Sequence, residues 1–266
     1  MRSKVKSDEQ CKYAPVYWFI FFNDQLLLKK EGETYTIPCS IDPPVPVENV
    51  LEVCSFRDVP CRTAAVGIPL EETAGFVPMG LRASYDYLDE TLHTIAGKAY
   101  ELIYWDLHSR FCPACGTRTV LQTAISKQCP ACKYEIYPVV SPAILVLIRK
   151  EDSILLVHAR NFKGSFHGLV AGFLETGETL EECVKREVME ETGLEIANIS
   201  YFGNQPWPYP SNLMVGFIAD YVSGTIRLQD EELSEGAFFT KENLPELPRK
   251  LSLARKMIDW WLEQNK

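Results

Sequence analysis

The chain predicts a mixed α/β (α+β) protein, and three observations carry that prediction. Apolar runs of strand length, such as Val16–Phe22 and Ala143–Ile148, alternate with stretches of helical period. The length of 266 residues favours two domains over one. Apolar residues make up 46% and charged residues 24%, enough to bury a real core and to exclude wholesale disorder. Mixed strands flanked by helices argue for layered α/β architecture rather than a bundle.

The N-terminal piece, 1–110, opens with VYWFIFF. Asn23-Asp24 then reads as a turn and Leu26-Leu27-Leu28 as a second strand. Lys4 and Lys6 precede the first run, as in a signal peptide. The run is short and aromatic and no small-residue cleavage site follows, so it reads as a strand. No run approaches the ~20 apolar residues that span a bilayer. A helix is expected over about Ser84–His108, with Leu88, Leu92, Ile95, Ala99, Leu102 and Ile103 as its core stripe.

Residues 111–136 carry Cys112-Pro-Ala-Cys115 and Cys129-Pro-Ala-Cys132. Two CxxC turns present four thiolates to one tetrahedral Zn²⁺, and Gly116 suits the positive φ such a turn needs. A redox CxxC would not be duplicated, and iron–sulfur sites use other spacings. Four protein thiolates leave no open position, so this zinc is expected to be structural. Nine cysteines, five of them single, fit a reducing cytoplasm better than a disulfide framework. Net charge is −9, against a protein that coats nucleic acid, although Arg118, Lys127 and Lys133 give the cysteine module mild basicity.

The third piece, 137–266, is expected to begin with strands Ala143–Ile148 and Ile154–Val157 joined by an Asp152-Ser153 turn. More strands and a Trp- and Leu-rich terminal helix follow. Between them lies GFLETGETLEECVKREVMEETGL, 172–194. Thr179 and Glu182 form a capping box, Leu180, Val184 and Val188 share one face, and Gly193 stops the helix. Glu190 and Glu191 lie three and four residues after Glu187, and all three are expected on one side. Three like charges need a neutralising partner, and Mg²⁺ or Mn²⁺ prefers carboxylate oxygen. Arg186 and Glu178 are expected to brace the loop against the helix. His93, His108, His158 and His167 match no nucleophile or HExxH pattern and read as structural. No Rossmann or P-loop context surrounds the glycines.

Downstream, Gln205-Pro-Trp-Pro-Tyr-Pro-Ser-Asn212 alternates prolines with aromatics. Such a segment cannot be a central strand and is expected to be a stiff, extended loop whose rings stack on a base or nicotinamide.

The 172–194 segment matches every fixed position of the Nudix box. With the four-Cys module before it and a QPWPYP segment after it, the chain resembles the NADH pyrophosphatase family of Nudix hydrolases. Tyr209 stands where that family commonly has Phe, and Asn204 where Ser is usual. The resemblance implies a catalytic α/β/α sandwich, preceded by the zinc ribbon and an N-terminal Nudix-like domain without the box. It implies Mg²⁺ or Mn²⁺ on the backbone carbonyl of Ala171, on Glu187 and Glu191, and on Glu232, with Glu231 or Glu235 as alternatives to the last. It implies substrate contacts from Tyr137, Gln205, Pro206, Trp207, Pro208, Tyr209, Pro210, Ser211, Asn212 and Ala254, and a homodimer in the cytoplasm. Glu190, on the ligand side but not spent as a ligand, is the candidate general base. The activity implied is hydrolysis of the pyrophosphate of NAD(H) to nicotinamide mononucleotide and AMP. Removal of the NAD cap from RNA 5′ ends uses the same linkage. A zinc-ribbon protein that only senses nucleotides is the rival from another class, and a broken box would favour it.

Overall fold

The computed structural model describes residues 14–160, 164–229 and 232–264. Lys4, Lys6, Cys11 and Glu231 fall outside them. The chain divides into two units. The first comprises residues up to Val139 together with Pro208–Ser211, and the second Val140–Trp207 and Asn212–Lys266.

The first unit begins with β1 (Val16–Phe22), β2 (Gln25–Glu31), β3 (Thr34–Thr36), β4 (Cys39–Ser40), β5 (Leu51–Phe56), β6 (Val59–Ala65) and β7 (Phe76–Gly80). They form one sheet in the order β3-β2-β1-β6-β5, with β4 on β1 and β7 on β2. β1 runs parallel to β6 and antiparallel to β2 across the expected Asn23-Asp24 turn, where Asn23 takes φ 53°. Helix α1 spans Glu90–His108. It starts six residues later than its periodicity predicts. Asp89 caps it by accepting from Thr91 N at 2.9 Å, and Ala83–Asp86 form a separate 3-10 turn. Leu88 therefore packs from outside the helix. Leu88, Leu92, Ala99, Leu102 and Ile103 bury against Phe19, Phe21, Leu26 and Leu28 of the sheet, and Ile95 lies at their margin.

The cysteine module adds β8 (Val120–Thr123), β9 (Ser126–Gln128) and β10 (Glu135–Ile136), a small antiparallel sheet. Its two turns are copies of one another. Gly116 N bonds Cys112 O and Lys133 N bonds Cys129 O, and both residues adopt positive φ, 74° and 66°. Lys127 is not the exposed cation its composition suggested. It is 5% exposed, 2.7 Å from Asp106 Oδ1 and over the Trp105 ring, and it fastens the module to the end of α1.

The second unit contains β11 (Ser141–Lys150), β12 (Ser153–Ala159), β13 (Val170–Phe173), α2 (Leu180–Thr192), β14 (Glu195–Trp207), β15 (Asn212–Ser223), β16 (Leu233–Thr240) and α3 (Leu253–Gln264). The sheet order is β14-β15-β11-β12-β16, with β13 on β11. The β11–β12 turn is Glu151-Asp152, one residue earlier than expected, because Lys150 pairs with Ser153 and Glu151 takes φ 52°. Alternation along β11 sends Ile144, Val146 and Ile148 to a core shared with α2, and Leu145 and Leu147 to one shared with α3. The sheet thus lies between two helices, as an α/β/α sandwich requires.

Candidate active site

Helix α2 forms as its sequence dictates. Thr179 Oγ1 accepts from Glu182 N at 3.2 Å, and Glu182 Oε2 accepts from Thr179 N at 2.7 Å, a reciprocal capping box. Gly193 closes the helix at φ 69°, its N–H on Met189 O. Val184 and Val188 bury against the sheet, which fixes the rotation of the helix about its axis. That rotation turns Glu187 and Glu191 inward. Glu191 is 3% exposed.

Glu187 lies against β13. A Cβ on Gly172 would collide with its carboxylate, so the first glycine of the box leaves the space in which that carboxylate stands. Arg186 organises the rest. Its Nη2 donates to Glu178 Oε1 at 2.6 Å and to Phe173 O at 3.0 Å, and its Nε to Glu178 Oε2 at 3.1 Å. The expected brace is therefore a bidentate pair. It holds the Glu178 carboxyl down at about 2. The other guanidinium nitrogen, Nη1, reaches Glu187 Oε1 at 2.9 Å and Glu190 Oε2 at 3.1 Å.

The three glutamates act on one another, but they differ in burial. Glu190 sits outward, about half exposed, and is held by Arg186. Burial pushes Glu191 up to about 8, helped by the negative charges of Glu187, Glu232 and Glu190. Glu187 is raised too, mainly by burial. A divalent cation placed among these carboxylates would relieve that repulsion. Ala171 lies on β13, directly before Gly172 and opposite Leu145 of β11.

Glu232 acts electrostatically on both Glu187 and Glu191. Glu235 is engaged elsewhere, 3.3 Å from His167 Nε2. The α2 carbonyls of Glu191 and Thr192 accept from Gln229 N and Arg227 N, which brings the chain just before Glu232 to the end of the helix.

The aromatic–proline segment is part strand, not all loop. Gln205, Pro206 and Trp207 end β14 and pair with Met214, Leu213 and Asn212 of β15. Prolines are tolerated there because β14 is a sheet edge, where no neighbour asks for the missing N–H. The Gln205 carboxamide donates to Leu251 O at 2.8 Å, an internal tie. Tyr209 does not offer a bare ring, since Arg82 Cζ lies 4.4 Å from its centroid. Ser211 Oγ donates to Val139 O. The Ala254 methyl packs in the core under α3. Tyr137 is exposed, its hydroxyl on Glu135. No periodic signal marks Phe173, yet it is an exposed ring directly beside Gly172.

The four sulfurs of Cys112, Cys115, Cys129 and Cys132 lie within 4.8 Å of one another, with Cys115 Sγ 3.4 Å from Cys129 Sγ and 3.5 Å from Cys132 Sγ. A tetrahedron of Zn–S bonds of about 2.3 Å has edges of this order. Among the described residues this is the one such group of metal-binding side chains. Hydrogen bonding from Thr117 draws the Cys115 thiol down to about 6, toward the thiolate a metal needs.

A sandwich with this loop–helix box defines a Nudix protein, and the NUDIX domain model matches residues 139–261. The fold resembles that of a crystallised NUDIX hydrolase from Nitrosomonas europaea (TM-score 0.51, 22% identity, 59% of this chain and 92% of that one). Two further models, the NADH pyrophosphatase-like rudimentary NUDIX domain and the NADH pyrophosphatase zinc ribbon domain, match residues 15–105 and 107–137. The chain belongs to the zinc-ribbon-containing NADH pyrophosphatase family of Nudix proteins. It is 44% identical over 167 residues to the NAD-capped RNA hydrolase NudC of Pseudomonas aeruginosa PAO1, spanning 62% of this chain and 60% of that protein. It is 42% identical over 181 residues to the protein of the same name from Haemophilus influenzae PittGG, 66% and 69% of the two chains.

Proposed function

We propose that the chain hydrolyses the pyrophosphate of NAD(H), giving nicotinamide mononucleotide and AMP, in the three modules 1–110, 111–136 and 137–266. The inward-turned pair of Glu187 and the buried Glu191, on which Glu232 and Glu190 also act, carries this reading. Ala171 O, Glu187, Glu191 and Glu232 hold Mg²⁺ or Mn²⁺, and Cys112, Cys115, Cys129 and Cys132 hold structural Zn²⁺. The bound divalent ion offsets phosphate charge and lowers the pKa of a water. Arg186 holds the Glu190 side chain in place, and the Glu190 carboxylate oxygen accepts the proton of the attacking water. Water adds to one phosphorus, the bridging P–O bond breaks, and two monophosphates leave. Trp207 and the exposed Phe173 supply ring faces for the bases, and Tyr137 is a further substrate contact that the resemblance implies. The protein works in the cytoplasm as a homodimer.

The relatives' name favours a second substrate, NAD-capped RNA, cut at the same linkage. Competition among NADH, NAD, ADP-ribose, a diadenosine polyphosphate and NAD-capped RNA in one reaction tests both. Nicotinamide mononucleotide from NADH or from capped RNA is the expected product. Preferential cleavage of the diadenosine compound defeats the proposal.

A further inference from the structure

Glycine in the middle of a helix weakens it relative to alanine, yet α1 carries Gly97 midway along its buried face. The reason lies in space. A Cβ there would stand 2.9 Å from Pro208 Cγ and 3.5 Å from Pro208 Cβ. A proline ring has no flexible end with which to yield. Pro208 is buried, whereas Pro206 and Pro210 on either side are exposed. The next residue, Tyr209, packs against the cluster under α1 and takes the Arg82 guanidinium on its ring. Ser211, 8% exposed, is tied to Val139 O at 2.9 Å. Three anchors, Pro208, Tyr209 and Ser211, thus hold Pro208–Ser211 in the first unit, and Trp207 is joined covalently to them.

We infer that Gly97 and Arg82 are positioning residues for the aromatic–proline segment. Their contacts restrict the backbone of Pro208 and Tyr209, to which Trp207 is joined. The inference rests on the proposed role of that segment in substrate binding. It assigns a specificity function to a domain that does no chemistry. Neither residue needs to touch the substrate. Each acts by restricting the backbone that does.

The test uses the full-length, zinc-loaded chain with NADH as substrate. Gly97→Ala should raise KM between about 5- and 50-fold while kcat moves much less, because the displaced segment misplaces the ring but not the carboxylates. In a Pro208→Ala background, which removes the colliding Cγ, the same substitution should change KM less than about twofold, since contacting residues couple. Arg82→Gln, which leaves the helix intact and guards against a misfolded Gly97→Ala, should raise KM about two- to fivefold, the strength of an exposed cation–π contact. Gly67→Ala, whose Cβ meets nothing within 4 Å, is the control. A role in helix stability alone would change Tm and leave KM in place, and that result overturns the inference. So does an equal KM rise with and without Pro208. If Trp207→Ala raises KM and neither Gly97→Ala nor Arg82→Gln does, the positioning idea fails while the binding role of the segment stands. If Trp207→Ala is also silent, the binding role falls with it.

Discussion

Glu191 is a carboxylate 3% exposed among three others, and that arrangement strains an ion-free protein. Its folded pKa of about 8 lies above the ordinary carboxylate value. Folding therefore favours the protonated form, and the associated stability is full below about pH 4.5 and lost as pH rises through about 8. In EDTA, Tm should fall between pH 5 and pH 8.5, and the Tm gained on adding Mn²⁺ should grow over the same range. A gain in Tm that is independent of pH counts against this. Glu187→Gln or Glu191→Gln should cut kcat by about two or more orders of magnitude, since each removes an anionic ligand. Neither should lower the Tm of the metal-free protein, because like charges are relieved. Activity within a few-fold of wild type at saturating Mn²⁺ in both variants would remove these residues from the site. Glu190→Gln separates the two roles: kcat should drop while Mn²⁺ affinity changes little, read by titration. Local spacing made Glu187 and Glu191 legible. The difference between them and Glu190 was not, because only the packing of Val184 and Val188 fixes which side of α2 is buried.

Among the elements, the cysteine module is the one whose stability rests least on apolar burial. Its strand β8 is exposed along its length, with Val120 45% and Leu121 48% exposed. One Zn²⁺ per chain should survive dialysis, and Cys112→Ser should lower Tm sharply. Structural zinc is worth on the order of 10 kcal/mol in small modules, and less where a neighbouring core already holds the chain. Elemental analysis finding iron or no metal would refute the assignment. The β14–β15 segment gives the second test at this scale. Trp207→Ala should lower kcat/KM for NADH about 5- to 150-fold, the equivalent of stacking worth about 1–3 kcal/mol. ADP-ribose, which lacks the nicotinamide, should lose less. Equal losses on both would shift the contact to the shared adenosine. Proline spacing excluded a central strand correctly. It could not show that β14 is an edge, because strand order is set by pairings far apart in sequence, such as Gln205 with Met214 and Ser141 with Asn212.

Across the whole molecule, the charge of −9 bears on how RNA would be met. With Lys127 buried in an ion pair, the cysteine module offers less basic surface than its composition implies. KM for an NAD-capped oligonucleotide should therefore depend weakly on salt and on RNA length beyond the first nucleotides, since few phosphates would be neutralised. A log–log salt slope steeper than about −3 between 50 and 200 mM would reveal a phosphate path instead. The sequence by itself determined the order of modules, the zinc knuckles, the capping and stop of α2, and the chemistry of the box. Each depends on residues within one or two turns of each other, where spacing equals proximity. The tertiary structure alone decided which carboxylates are buried, why Gly172 and Gly97 must lack a side chain, and that Glu232 acts on Glu191 while Glu235 turns to His167. These depend on how strands and helices far apart in the chain are brought into contact, and no local pattern encodes the distance between atoms that meet only after folding.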